Sequence, residues 1–213
     1  MKKVLILLAL LLVCVGCTRI DNVEDLNVIV DTVLNGEEKK ANETSLGYKY
    51  YLPVGLRKVT DKDYNQKFKM NNNFIYLYAD IVSFHYQNKL NFKEEDQEVY
   101  YYREIDNNGK TGYVIIEEQT NGKYYIKIIY NYAKIESYVE KAQINKVLAN
   151  SMIILDSIDY NEIIIKNIIE EEYSVGTDKE YEIDKPNDAE SKFSEYLSEY
   201  VEQEESVPEL PEY

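Results

Sequence analysis

The chain has 213 residues, of which 39 are acidic and 24 basic, giving a formal net charge of −15. A protein so acidic repels nucleic acid and anionic lipid headgroups alike, which sets nucleic-acid binding aside. With one histidine, His85, and two cysteines, Cys14 and Cys17, it has no means of building a histidine-pair metal site, H-E-x-x-H chemistry or a disulfide framework in its main body.

The charge is unevenly placed. From Glu170 to Tyr213 there are 16 acidic residues against Lys179, Lys185 and Lys192, so the acidity belongs to the C-terminal stretch and the middle of the chain is nearly balanced. The remaining texture, rich in Lys, Asn, Ile and Tyr with 22 Tyr and no Trp, reads first as the codon pressure of an AT-rich genome.

Lys2 and Lys3 precede an unbroken apolar run of 12 residues, Val4 to Val15. That is short of the roughly 20 residues a helix needs to cross a hydrocarbon core, and it matches the apolar region of a secretory signal. Val13-Cys14-Val15-Gly16-Cys17 resembles the lipobox of bacterial lipoproteins, with Gly16 as the small residue before the cut. Cys14 stands where the family usually has Leu. The resemblance implies a lipid on Cys17, made the first mature residue, and anchoring to the outer face of the cell membrane. Two acyl chains, at about 0.8 kcal/mol per buried CH₂, suffice for stable attachment.

Residues 17–45 read as a lipidated connector with one short helix, on which Val23, Leu26, Val30, Val33 and Leu34 fall near helical spacing. An α+β domain is expected over 46–169. Gly47 to Leu52 and Tyr64 to Met70 are strand-like, and Asn71-Asn72-Asn73 turns the chain into a long strand from Phe74 to Tyr86. Val99–Ile105, Gly112–Gln119 and Lys123–Tyr132 follow as β-branched and aromatic runs. Asn108-Gly109 and Asn121-Gly122 join them, and such pairs signal tight hairpins because both turn residues take positive φ. Lys141 to Ser157 changes period: Ile144, Val147, Leu148, Ser151 and Leu155 stripe a helix able to cover one face of the antiparallel β-meander. Ser157–Tyr160 reads as a strand, and Asn161–Ile169 fits either a strand or a short helix. Residues 170–213 form an acidic tail, in which Phe193, Tyr196, Leu197, Tyr200 and Val201 make an i, i+3, i+4, i+7, i+8 stripe. The tail is either a solvating segment or an amphipathic helix that docks on its own domain or on a partner.

Tyr48 to Leu56, followed by a meander, one helix and Ile153–Ile158 leading to a last strand, resembles the PsbP-like fold at the level of topology, over roughly 46–169. The resemblance implies an α/β/α sandwich and a binding or assembly role more often than catalysis; it transfers no functional residue.

No catalytic constellation emerges. His85 has no G-x-S-x-G elbow to work with, and Asp106-Asn107-Asn108-Gly109 lacks the spacing of a calcium loop and suits a turn. No cofactor or metal is expected. Tyrosines recur on neighbouring strands, and Tyr76, Tyr78, Tyr101 and Tyr125 are the candidate binding face; Tyr combines a large rigid ring with a polar tip. The functional expectation is a non-enzymatic, membrane-anchored surface lipoprotein that binds an envelope protein partner or supports envelope assembly. The alternative is a module that captures cell-wall glycan on its tyrosines.

Overall fold

The computed structural model describes residues 23–88 and 99–175. Cys17 and the tail stripe of Phe193, Leu197, Tyr200 and Val201 lie outside those residues. In chain order the elements are α1 (Val23–Leu34), β1 (Glu43–Ser45), β2 (Tyr48–Tyr50), β3 (Arg57–Lys62), β4 (Asn65–Met70), β5 (Asn73–Ala79) and α2 (Ile81–Tyr86). β6 (Tyr101–Asn107), β7 (Lys110–Glu118), β8 (Tyr124–Tyr130), β9 (Ala133–Val139), α3 (Ile144–Asp156), β10 (Asp159–Tyr160) and α4 (Glu162–Val175) follow. The fold is α+β: a seven-stranded antiparallel sheet in the order β3-β4-β5-β9-β8-β7-β6 and a small sheet β1-β2-β10.

The meander forms as its turns dictate. Asn107 pairs with Lys110 across Asn108 and Gly109, both at positive φ, so these residues make a hairpin. The β7–β8 loop departs from expectation. Only Gly122 is left-handed there, and Asn121 instead turns its side chain back to accept from the Lys123 N–H at 3.0 Å.

Gly112, in β7, lies against β8 so closely that a Cβ there would sit 2.0 Å from the Ile129 carbonyl oxygen.

One face of the large sheet meets the helices. Leu26 and Val30 of α1 pack with Val147, Leu148, Met152 and Leu155 of α3 over Ile116, Ile126, Ile128 and Ile135. Fully burying each such side chain contributes about 1.5–3 kcal/mol. The helix read in the connector is therefore part of the domain. It is tied by Tyr101, whose hydroxyl donates to Asn27 Oδ1 at 2.9 Å, and by Arg103, which bonds the Asn27 carbonyl and Asp31.

The strand expected from Phe74 to Tyr86 ends at Ala79. Asp80 caps α2 by accepting from the Ser83 N–H at 2.8 Å, and Gln87 closes the helix in a left-handed conformation. His85 thus lies on a helix, not at a strand end. Asn161 settles the ambiguity after it in the same way: its side chain accepts from the Ile164 N–H at 3.1 Å and starts a helix of 14 residues. The Tyr48–Leu56 segment enters the small sheet rather than the meander.

Candidate functional site

Register places the tyrosines. Across the sheet face turned away from α1 and α3, Lys67, Tyr76, Glu136, Lys127, Ile115 and Tyr102 form one row of direct cross-strand partners. Asn65, Tyr78, Lys134, Ile129 and Tyr113 form the next. Tyr125, opposite Tyr138, shares this face. Tyr101 does not: it pairs with Ile116 and points into the helix-side core, so three of the four expected residues come together and the fourth is turned away by the strand's alternation.

The three do not make an open platform. Tyr76 and Tyr125 are buried and only Tyr78 is part-exposed. Tyr125 donates to Glu136 Oε1, and Lys134 Nζ stands 3.0 Å from Glu136 Oε2. Burial first, and then the Glu136 carboxylate beside it, push the Tyr125 phenol far above its ordinary range, so it serves as a donor. Lys67 Nζ sits over the rings of Phe74 and Tyr76 at 4.4 and 4.8 Å, and Lys127 over Tyr113 at 5.5 Å. Lys134 is 2% exposed. Lys134, Glu136 and Tyr125 are thus buried together, with the two charges paired within the cluster.

Solvent reaches a different place. A cleft of about 490 Å³ opens where the small sheet meets the start of α4, lined by Ser45, Tyr48, Lys49, Tyr160, Ile163 and Ile164 among others. Ile163 is 75% exposed and Ile164 42%, beside the exposed Lys49–Asp159 ion pair at 2.9 Å. Asn161 holds the corner together, its N–H donating to the Gly47 carbonyl at 2.8 Å. Gly47 is needed there: its φ is +83°, and a Cβ would lie 2.9 Å from Ile165 Cγ1.

Behind the cleft is a strained turn. Asn131 and Tyr132 join β8 to β9 with both residues at φ +55°, a conformation Asn tolerates but an outlier for a bulky aromatic. Tyr160, which lines the cleft, donates from its hydroxyl toward the Asn131 and Tyr132 carbonyls at 2.9 and 2.8 Å. Its ring stacks on Phe84 at 4.3 Å, and Phe84 meets Tyr132 edge-on at 5.6 Å. Asn131 Nδ2 donates to the Ile158 carbonyl at 2.9 Å and the Asp80 N–H to the Tyr132 carbonyl at 2.8 Å.

Nothing in the sequence analysis pointed to this corner. The one legible signal was Asn161 ahead of the apolar Ile163 and Ile164, a cap followed by a helix. Among the described residues, no group of three His, Cys, Asp or Glu side chains is placed to hold a metal, and no helix is long and apolar enough to cross a membrane. No protein-family model matches the chain, and no curated protein matches it either.

Proposed function

We propose that the chain is a lipoprotein of the bacterial cell surface, anchored through Cys17 to the outer face of the membrane, whose domain binds a protein of the envelope and carries out no chemistry of its own. The anchor rests on Val13–Cys17 after a short apolar run. The binding half rests on one observation, the cleft edged by exposed Ile163 and Ile164. Two isoleucines left in water on the first turn of a capped helix lose free energy unless something covers them, at about 25 cal/mol per Å². A paired Lys49 and Asp159 beside them supply the polar rim that such contacts carry.

A sugar-binding role has less support. Stacking needs rings open to solvent, and Tyr76 and Tyr125 are not. Photo-crosslinking in cells tests the partner reading, with the reactive group at Ile163 and, as a control, at Val59 on the edge strand β3. One discrete protein adduct from position 163, lost in Ile164→Asp, is expected. Equal adducts from both positions, or none from 163, would contradict it.

A further inference from the structure

The face of the large sheet turned away from the helices has a core of its own. Tyr113, Ile115 and Ile129 are buried there, while every buried apolar residue of the described helices belongs to the other core. Lys127, Lys134 and Glu136 on the same face are buried as well. Taking an ion out of water is costly, so charged side chains on an uncovered sheet extend into solvent. A further layer therefore lies over this face, and the path of the chain indicates which residues form it.

β5 and β6 run in the same direction, with β9, β8 and β7 between them and each strand antiparallel to its neighbour. The chain must therefore return from the far end of β5 to the opposite end of the sheet before it enters β6, and only α2 and residues 87–100 are available for that return. Backbone geometry gives the hand of the crossing. Take β5 pointing up with this face toward the viewer. The N–H of Ala79, a residue of the helix-side core, then bonds to the Tyr64 carbonyl on the left at 2.9 Å. The Asp80 N–H bonds to the Tyr132 carbonyl on the right at 2.8 Å, so β9 and, beyond it, β6 lie to the right of β5. A crossing over this face is right-handed, as about 98% of such parallel connections are. One over the other face would be left-handed and would have to pass outside α1 and α3.

The length of chain agrees. Ile105 is level with Ala79 through Gly112, Tyr130 and Ala133. Four strand spacings across and six residues along β6 put Val99 roughly 28 Å from the end of β5 by the diagonal, and roughly 39 Å by way of the β6 edge. The 11 peptide units from Asn88 to Val99 reach at most about 36–40 Å, enough for the diagonal with slack and for the edge with none. Val99 itself packs on Tyr113, Ile115 and Ile129. We propose that residues 89–98 cross this face and form its outer layer, with Leu90 and Phe92, on one side of an extended run, laid against that cluster. A face crossed in this way is interior to the domain, so Tyr76, Tyr78 and Tyr125 are packing residues and a partner has to use another surface. The proposal stands independently of the lipid anchor and of the Ile163 cleft.

Photo-crosslinking of the full-length protein in detergent, at low concentration and with a photoreactive phenylalanine in place of Phe92, tests it. Adducts within one molecule to residues 110–118 or 124–139 are expected. Adducts only to α1, α3 or residues 176–213, adducts that join two copies, or none at all would each overturn it. In Leu90→Ser/Phe92→Ser, amine labelling of Lys127 should rise at least tenfold with exposed Lys49 unchanged, whereas Leu197→Asp/Tyr200→Asp should leave Lys127 as it was. No rise in the first variant, or a rise in the second, would also overturn it. The adduct map decides the matter even if a double variant does not fold.

Discussion

Replacing Tyr160 with Phe removes one oxygen and keeps the ring, which isolates the clamp on the Asn131–Tyr132 turn. A left-handed backbone costs a non-glycine residue roughly 1–2 kcal/mol, and the two consecutive positive φ values must be held by the surroundings. The hydroxyl supplies part of that hold, 2.9 and 2.8 Å from the two carbonyls. A net hydrogen bond is worth about 1 kcal/mol, and leaving a carbonyl short of its donor adds to the loss. The Tyr132 carbonyl keeps the Asp80 N–H, so the loss falls mainly on Asn131. Stacking on Phe84 survives, so the expected cost is about 1–2 kcal/mol, or about 3–7 °C in Tm for a domain of this size. Thermal unfolding followed by circular dichroism reads it. In a Tyr132→Gly background, where the strain at position 132 is relieved, the same change should cost less. An unaltered Tm, or an equal cost in both backgrounds, would show that the clamp does not hold the turn.

Gly112→Ala should cost about 3 kcal/mol, because the new methyl meets the Ile129 carbonyl and Tyr130 Cα, both backbone; a wild-type urea midpoint would contradict this. Glu136→Gln breaks a buried ion pair and should cost about 3–5 kcal/mol in urea unfolding, whereas Lys134→Met with Glu136→Leu should recover most of it. Burial raises the Asp80 carboxyl above its ordinary pKa, although the Ser83 N–H opposes the shift. The favourable contribution of protonation is then full below the unfolded value near 3.8 and lost as pH rises through the folded one. Asp80→Asn keeps a capping oxygen. Its stability relative to wild type should therefore improve as pH climbs from 3 to 7, and a flat difference across that range would refute the assignment.

Much of the scaffold was legible because local signals agreed with the fold. The α3 stripe and the Asn108-Gly109 turn each needed no tertiary information. What escaped was decided by contacts. β9 alternates Lys134, Glu136 and Tyr138 with Ile135, Ser137 and Val139, so half of it reads as surface. The turn before it carries Tyr132 where a hairpin signal calls for glycine. β3 is a polar edge strand with no apolar period to find. Ile81–Tyr86 continued the strand pattern of β5 in composition, and only the Asp80 cap and left-handed Gln87 turned it into a helix. The candidate site suffered in the same way. Tyr76, Tyr78 and Tyr125 share a face in the structure, but burial is set by what lies over a face, which spacing does not reveal. Tyr101 was misplaced because the phase of β6 relative to its neighbours depends on register. The cleft joins β2 to β10 and α4, which lie more than 100 residues further along the chain, and no local pattern announces that meeting.

The anchored binding module stands or falls first on its anchor. Labelling cells with a fatty-acid analogue and separating membrane from soluble fractions, for the unaltered chain and for Cys17→Ala, tests that directly. The account predicts acyl label and membrane recovery for the first and loss of both for the second. Cys17→Ala still labelled and still in the membrane fraction would contradict it.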